Sequence, residues 1–132
     1  MWKYEKGDQR YKHTGRGANA VFEQNRGVTV GKCPNTITLE TAQKILNEGV
    51  GCDYVDTGTF SYPRQMFGFH EGVLYKALPT RAGISYHAFP ACSDDLSPPA
   101  RQIIFAHFSD PDTQQKIQKW LTKADKEIRS LE

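Results

Sequence analysis

Three features that often reveal the role of a protein are missing from this chain. No run approaches the roughly 18 consecutive apolar residues that a membrane-spanning helix requires. The N-terminal stretch holds aromatic and charged residues in place of the apolar core of a signal peptide. Internal repeats and low-complexity segments are also missing. The length of 132 residues predicts a single domain over residues 1–132, and these absences predict a cytoplasmic location and no membrane partner.

Cysteine is scarce and is poorly placed for either a disulfide framework or a zinc site. Cys33, Cys52 and Cys92 are an odd number, and no CxxC pair is present. We therefore predict no cofactor and no bound metal. A nucleophilic role for Cys33 needs a neighbouring group that lowers the pKa of the thiol, whereas a free cysteine is more often a small buried hydrophobe.

Charge is nearly balanced over the whole chain but is unevenly distributed. The formal net charge is +2. Residues 1–32 hold seven basic and three acidic residues, a net charge of +4, and the remaining residues have a net charge of −2. The first quarter of the chain is therefore the part that would attract an anion, although this excess is small beside that of typical nucleic-acid binders.

The apolar patterns predict an α+β fold with an antiparallel sheet of about four strands. Residues 20–24 and 28–32 predict one hairpin, and residues 73–78 and 84–89 predict a second hairpin around a turn at residues 80–83. A fifth strand within residues 53–60 is an open alternative to a long loop. We expect two or three helices to cover one face of this sheet.

Capping residues mark the three predicted helices. Thr38 is expected to begin the first, which Gly49 ends as a C′ residue. Ser97, followed by two prolines, predicts a helix over residues 100–108, although the apolar run 102–108 also fits a buried strand. The last helix follows Asp110 and has the clearest apolar stripe in the chain. We expect the final pair, residues 131–132, to be a cloning remnant.

The second hairpin concentrates the side chains that are best suited to chemistry. Counting across its loop predicts that Lys76 lies opposite His87. Together with His70, these side chains are our candidate catalytic residues, because two imidazoles and a cation are sufficient to cleave RNA without a metal. Arg81 and Tyr86 are the candidate phosphate-binding residues beside them. The alternative is that Lys76 and His87 simply lie on an exposed strand face.

The N-terminal arm, residues 1–17, is the second candidate binding region. Its aromatic residues alternate with cations, a pattern suited to stacking on bases while neutralising phosphates. The alternative is that Trp2 and Tyr4 dock the N-terminus onto the core. The candidate binding cations of the arm are Lys3, Arg10, Lys12 and Arg16.

Three functions remain open at this point. The leading hypothesis is binding of RNA or another phosphate-rich partner through a basic surface, because it requires the fewest groups to converge. The second is a metal-independent ribonuclease or phosphodiesterase that uses His70 and His87. The third is a protein-interaction module with the aromatic stretch 54–69 as its surface.

Overall fold

The computed structural model describes residues 2–5, 19–25, 28–34 and 37–131. Within these residues the chain forms seven strands and three α-helices. In chain order they are β1 (Lys3–Tyr4), β2 (Val21–Asn25), β3 (Val28–Lys32), α1 (Leu39–Glu48), β4 (Val50–Asp56), β5 (Ser61–His70), β6 (Val73–Arg81), β7 (Ser85–Pro90), α2 (Pro98–His107) and α3 (Pro111–Ser130). A short 3₁₀ turn, Ser93–Asp95, precedes α2.

The strands form one five-stranded sheet and a separate hairpin. The order in the sheet is β1-β7-β6-β5-β4, and β2 pairs with β3. Strands β4 to β7 are antiparallel neighbours, whereas β1 runs parallel to β7 at the other edge. The predicted α+β class with a mostly antiparallel sheet is therefore confirmed.

All three predicted helices form, and each begins at its expected cap. The side chains of Thr38, Ser97 and Asp110 accept hydrogen bonds from backbone amides in the first turns of α1, α2 and α3. The alternative of a strand over residues 102–108 is thereby excluded. Gly49 ends α1 as expected, but as the C-cap residue itself, in an extended conformation with φ −80°. A side chain at this position would clash with the carbonyl oxygen of Phe67.

Helices cover both faces of the sheet, so the expectation of a single covered face is wrong. On one face, Phe67 and Leu74 pack against Ile104 of α2 and Ile117 of α3. The opposite face packs against α1, through a cluster of Leu46, Met66, Ala77 and Tyr86. Met66, Phe67 and Gly68 are consecutive and all buried, as in a strand that is covered on both sides.

Strand β5 is the main element that the sequence pattern does not reveal. Tyr62, Pro63 and the polar residues around them hide its period. Pro63 nevertheless pairs directly with Tyr54 of β4. The pairing of β5 with β6 extends only from Met66 to His70. Within the described residues, Pro63 thus lies where β5 pairs with β4 alone, and a missing amide donor is tolerated there.

Candidate functional site

The register of the second hairpin differs from the predicted one. Lys76 lies opposite Phe89, and His87 lies opposite Leu78. The prediction that Lys76 faces His87 is therefore wrong by two residues. The cause is that β6 continues to Arg81, so the turn lies at residues 82–84 and not at the predicted 80–83; a one-residue irregularity between Pro79 and Arg81 offsets only part of this shift. A slip of two residues keeps side chains on the same face, so Lys76 and His87 are diagonal neighbours.

The side chains of Lys76 and His87 both form hydrogen bonds within the fold. Nδ1 of His87 lies 2.8 Å from Oγ1 of Thr80. Burial lowers the pKa of His87, because desolvation disfavours the imidazolium form. Nζ of Lys76 donates to the carbonyl oxygen of Asp95 at 3.0 Å. This lysine therefore ties the sheet to the 3₁₀ turn.

His70 is not brought close to His87. His70 pairs with Val73, and His87 pairs with Leu78, five residues further along β6. Five residues of strand correspond to roughly 16 Å, well beyond the reach of two groups acting on one phosphate. The imidazole of His70 instead lies 3.8 Å from the carboxylate of Glu71.

The candidate phosphate-binding residues of the hairpin also have partners in the fold. Arg81 contacts the carboxylate of Glu5 through both Nε, at 2.9 Å, and Nη2, at 2.8 Å. Tyr86 is fully buried, and its hydroxyl donates to the carbonyl oxygen of Pro63. Tyr86 therefore belongs to the core.

The described part of the N-terminal arm is docked on the sheet. The Trp2 ring meets Tyr86 edge-on with centroids 5.8 Å apart, and Tyr4 packs against the same cluster. The docking alternative is therefore confirmed for these two aromatic residues. Lys3 is exposed in β1. The other candidate cations of the arm, Arg10, Lys12 and Arg16, lie outside the described residues.

A basic groove, which the sequence reading did not anticipate, lies between α3 and the β5–β6 turn. Its volume is about 470 Å³. Lys116, Lys119 and Lys123 line one side, and Glu71 lies in the lining at the turn. Asn19 is also in the lining, where the described chain resumes before β2. Trp120 and three small or apolar residues complete the lining: Ala20, Gly72 and Val73.

Helical spacing explains why the three lysines form one stripe. They follow one another at intervals of three and four residues, so they project from the same side of α3. Trp120 lies within this stripe and is almost completely buried, and its indole N–H donates to the carbonyl oxygen of Ala91 at 2.8 Å. The stripe thus follows the border of the buried helix face. The spacing itself is visible in the sequence and is the signal that was overlooked.

Most of the acidic residues of α3 are directed away from these lysines. Asp112 does pair with Lys116, at 3.2 Å, as the four-residue spacing predicts. Glu127 accepts a hydrogen bond from the backbone of Phe22 instead of pairing with Lys123. Asp125 accepts two hydrogen bonds from Ser93. The groove therefore keeps an excess of positive charge.

The opposite end of the sheet carries an aromatic surface, which we call the aromatic end. It consists of the exposed residues Tyr54, Phe60 and Ile84 with the half-buried Tyr62. The rings of Phe60 and Tyr62 have centroids 6.1 Å apart. The stretch proposed as a binding surface, residues 54–69, is thus exposed mainly in its first part, because Met66 and Phe67 are core residues.

Burial dominates the surroundings of the thiol that was considered as a nucleophile, Cys33. Burial raises the pKa of Cys33 to about 12, so the thiol stays protonated at neutral pH. Cys33 borders an apolar cavity of about 30 Å³ beneath α1, which has room for a water molecule or two. Among the residues that the structure describes, no three His, Cys, Asp or Glu side chains are placed to hold a metal ion.

None of the helices in the described ranges is long and apolar enough to span a membrane. No protein-family model, curated protein or solved structure matches this chain at a significant level.

Proposed function

We propose that this protein binds RNA or another phosphate-rich partner in the basic groove. The observation that supports the proposal is that Lys116, Lys119 and Lys123 line one groove, whereas Glu71 is the one carboxylate in its described lining. A concave surface lined by charge of one sign concentrates counter-charged ligands and accelerates their association. The basic groove is also within the size range of ligand-binding sites, roughly 300–1,000 Å³.

The covalent chain supplies a second reason. Residues 6–18 hold four basic residues and one acidic residue, and they lead directly into Asn19 in the lining of the groove. The basic segment recognised in the sequence is therefore tethered to the groove that the fold creates. A tethered cationic segment raises its own effective concentration around any anion held there.

The proposal is tested by binding of end-labelled RNA to wild type and to the triple variant Lys116→Ala/Lys119→Ala/Lys123→Ala. Three phosphate contacts predict a slope of about −2 in log K against log salt, so wild-type affinity should fall roughly 20-fold between 50 and 200 mM salt. The triple variant should lose most of this dependence. Equal binding by wild type and the triple variant would refute the proposal.

A charge-matched control separates the basic groove from total charge. Lys44, Lys126 and Arg129 are exposed and do not line the groove. Replacing all three by alanine removes the same charge as the triple variant. We expect the control to bind RNA within about threefold of wild type, because screening limits the effect of distant exposed charges.

A protein-interaction role is the second candidate, and the aromatic end is the observation that favours it. Tyr54, Phe60 and Ile84 are each more than half exposed. Tyrosine, arginine and phenylalanine are enriched at the centres of protein interfaces. A protein partner that is lost in the double variant Phe60→Ser/Ile84→Ser but retained in the triple lysine variant would establish this role.

The phosphodiesterase alternative gains no support from the geometry, because His70 and His87 lie far apart along the sheet. The RNA-binding assay, performed in EDTA and also read for strand cleavage, tests it directly. Cleavage that disappears in His87→Ala would restore the enzymatic alternative.

A further inference from the structure

We infer that the three lysines of the basic groove contribute unequally: Lys119 and Lys123 are the main anchors of a bound anion, whereas Asp112 competes with the anion for Lys116. This inference rests on the proposed function and assigns different roles to the residues of that one site. Asp112 is then an internal counter-ion that limits the affinity of the basic groove. The contacts of the three ammonium groups support this division of roles.

Lys116 is the lysine whose charge already has a partner. Its Nζ lies 3.2 Å from the carboxylate of Asp112, one helical turn earlier on α3. Both side chains are more than half exposed, so the pair is weak and an anion can displace Asp112 from it. Displacement leaves the carboxylate unpaired beside the incoming phosphate, where the like charges repel each other. A phosphate therefore gains less from Lys116 than from a lysine that has no ion-pair partner.

Lys119 is a lysine of that second kind. Within the part of the chain that the structure describes, no carboxylate lies within ion-pairing distance of its ammonium group. Glu71, the carboxylate in the described lining, lies 3.8 Å from the imidazole of His70 instead. Lys119 can therefore attract an anion without the loss of an existing ion pair.

Lys123 is held in position without losing its charge. Its Nζ lies 5.9 Å from the centre of the Trp120 ring. The face of an indole ring attracts an ammonium group but carries no net charge, so the lysine stays positive. Glu127, four residues later, accepts a hydrogen bond from the backbone of Phe22 instead of pairing with this lysine. A cation that is already held in place loses less side-chain freedom when an anion binds.

The order of the charges along α3 places the carboxylate at one end of the lysine stripe. Asp112, Lys116, Lys119 and Lys123 follow one another at intervals of four, three and four residues, so they project from the same side of the helix. An anion on this stripe is repelled at the end that Asp112 occupies and attracted at the other. Removing the carboxylate should therefore make Lys116 as useful to the anion as Lys119.

The experiment measures fluorescence anisotropy of the full chain with end-labelled RNA at 50 mM salt. Lys119→Ala should weaken binding about fivefold, whereas Lys116→Ala should weaken it about twofold or less, because the gain from Lys116 is offset by the lost pair with Asp112. Asp112→Asn should tighten binding about threefold, because the competitor is removed while the size of the side chain is kept.

A double variant and a matched control isolate the competition. In Asp112→Asn/Lys116→Ala the lysine that is competed for is gone, so its affinity should stay within about 1.5-fold of that of Lys116→Ala alone. Glu40→Gln is the control, because Glu40 is also an exposed carboxylate in the first turn of a helix, but that helix, α1, covers the opposite face of the sheet. It should bind within about 1.5-fold of wild type.

The outcomes separate this inference from the proposed function. If wild type and the triple variant bind RNA equally, both are wrong. If the triple variant loses binding but Lys116→Ala and Lys119→Ala weaken it equally and Asp112→Asn has no effect, the proposed function stands and the inference fails. A gain in Glu40→Gln equal to that in Asp112→Asn would overturn the inference, and so would an undiminished gain in the double variant. Circular dichroism of each variant confirms that folded proteins are compared.

Discussion

The basic groove and the aromatic end lie at opposite ends of the same sheet. At the aromatic end the arginines are paired with carboxylates, whereas in the basic groove the lysines outnumber the carboxylates. At the aromatic end, Arg81 pairs with Glu5, and Arg64 lies 3.8 Å from Asp53. In the basic groove, three lysines share the space with Glu71; Asp112 pairs with Lys116, whereas Asp125 and Glu127 bond elsewhere. The ten residues of β5 connect the two regions, a distance of roughly 33 Å.

The position of the carboxylates determines which surface has an excess of positive charge. Arginines are present at the aromatic end, but each has a carboxylate in reach, so the surface offers mainly apolar rings. In the basic groove, three lysines face a single lining carboxylate, so positive charge dominates there. A count of charges along the sequence cannot make this distinction.

Charge reversal at each end should have the largest effect and is the strongest test of the comparison. Lys116→Glu/Lys119→Glu/Lys123→Glu should weaken RNA binding on the order of 100-fold at 50 mM salt, because attraction at three contacts becomes repulsion. Reversal of Lys3, Arg64 and Arg81 changes the total charge equally and should alter binding by about threefold or less. Anisotropy titrations measure both. Equal losses would mean that total charge governs binding and not the basic groove.

Two glycine substitutions at the aromatic end should differ in their effect on stability, because the turns around Gly83 and Gly58 are packed differently. Gly83 has φ +76°, and a Cβ there would clash with the ring of Phe60. Gly83→Ala should lower the free energy of unfolding by about 1 to 2 kcal/mol, from backbone strain plus a smaller cost of displacing the half-exposed Phe60 ring. Gly58 has φ +87° but open space around it, so Gly58→Ala should show the strain alone, about 1 kcal/mol. Urea denaturation measures the difference, and equal losses would mean that the contact with Phe60 contributes nothing.

The stability of the sheet between the two ends should depend on pH through His87. Its pKa in the folded protein is lowered by burial, so the unfolded chain takes up the proton first as pH falls. The contribution is fully present above the unfolded pKa of about 6.5 and is lost as pH falls below that value towards the folded pKa. His87→Gln should remove this part of the pH dependence in urea denaturation between pH 7.5 and 5.5. An unchanged slope in the variant would contradict the prediction.

Substitutions of exposed side chains at the aromatic end should have the smallest effect on stability and on RNA binding. Phe60→Ser and Ile84→Ser replace side chains that are already more than half exposed. Each should change the free energy of unfolding by under about 1 kcal/mol and should leave RNA affinity unchanged. Thermal unfolding and anisotropy check the two statements. A clear loss of RNA binding in either variant would show that the aromatic end takes part in the same function as the basic groove.

Local patterns predicted the elements whose signals lie within a few residues. Caps at Thr38, Ser97 and Asp110 located the starts of the three helices, since each cap acts on amides of the next turn. The hairpin of β2 and β3 was also recognised. Strand β5 was missed because a strand that is buried on both faces loses its alternation, and Pro63 argued against a strand.

The candidate site was harder to predict than the fold. The register around Lys76 and His87 was wrong because the turn lies at residues 82–84 and not at 80–83, and β6 continues through Pro79 to Arg81. Tyr86 was selected for its hydroxyl, but the fold encloses it completely. The lysine stripe was visible at helical spacing, yet nothing local indicated that it faced a groove.

The sequence by itself determined the class of the fold, the three helices, the amphipathic face of α3 and the basic character of residues 6–18, because these depend on short-range spacing and composition. Only the tertiary structure decided that helices cover both faces of the sheet and that the turn at Glu71-Gly72 lines the same groove as Lys116, Lys119 and Lys123. The physical reason is that a groove requires two walls from segments more than forty residues apart. Their approach is set by the packing of the whole core.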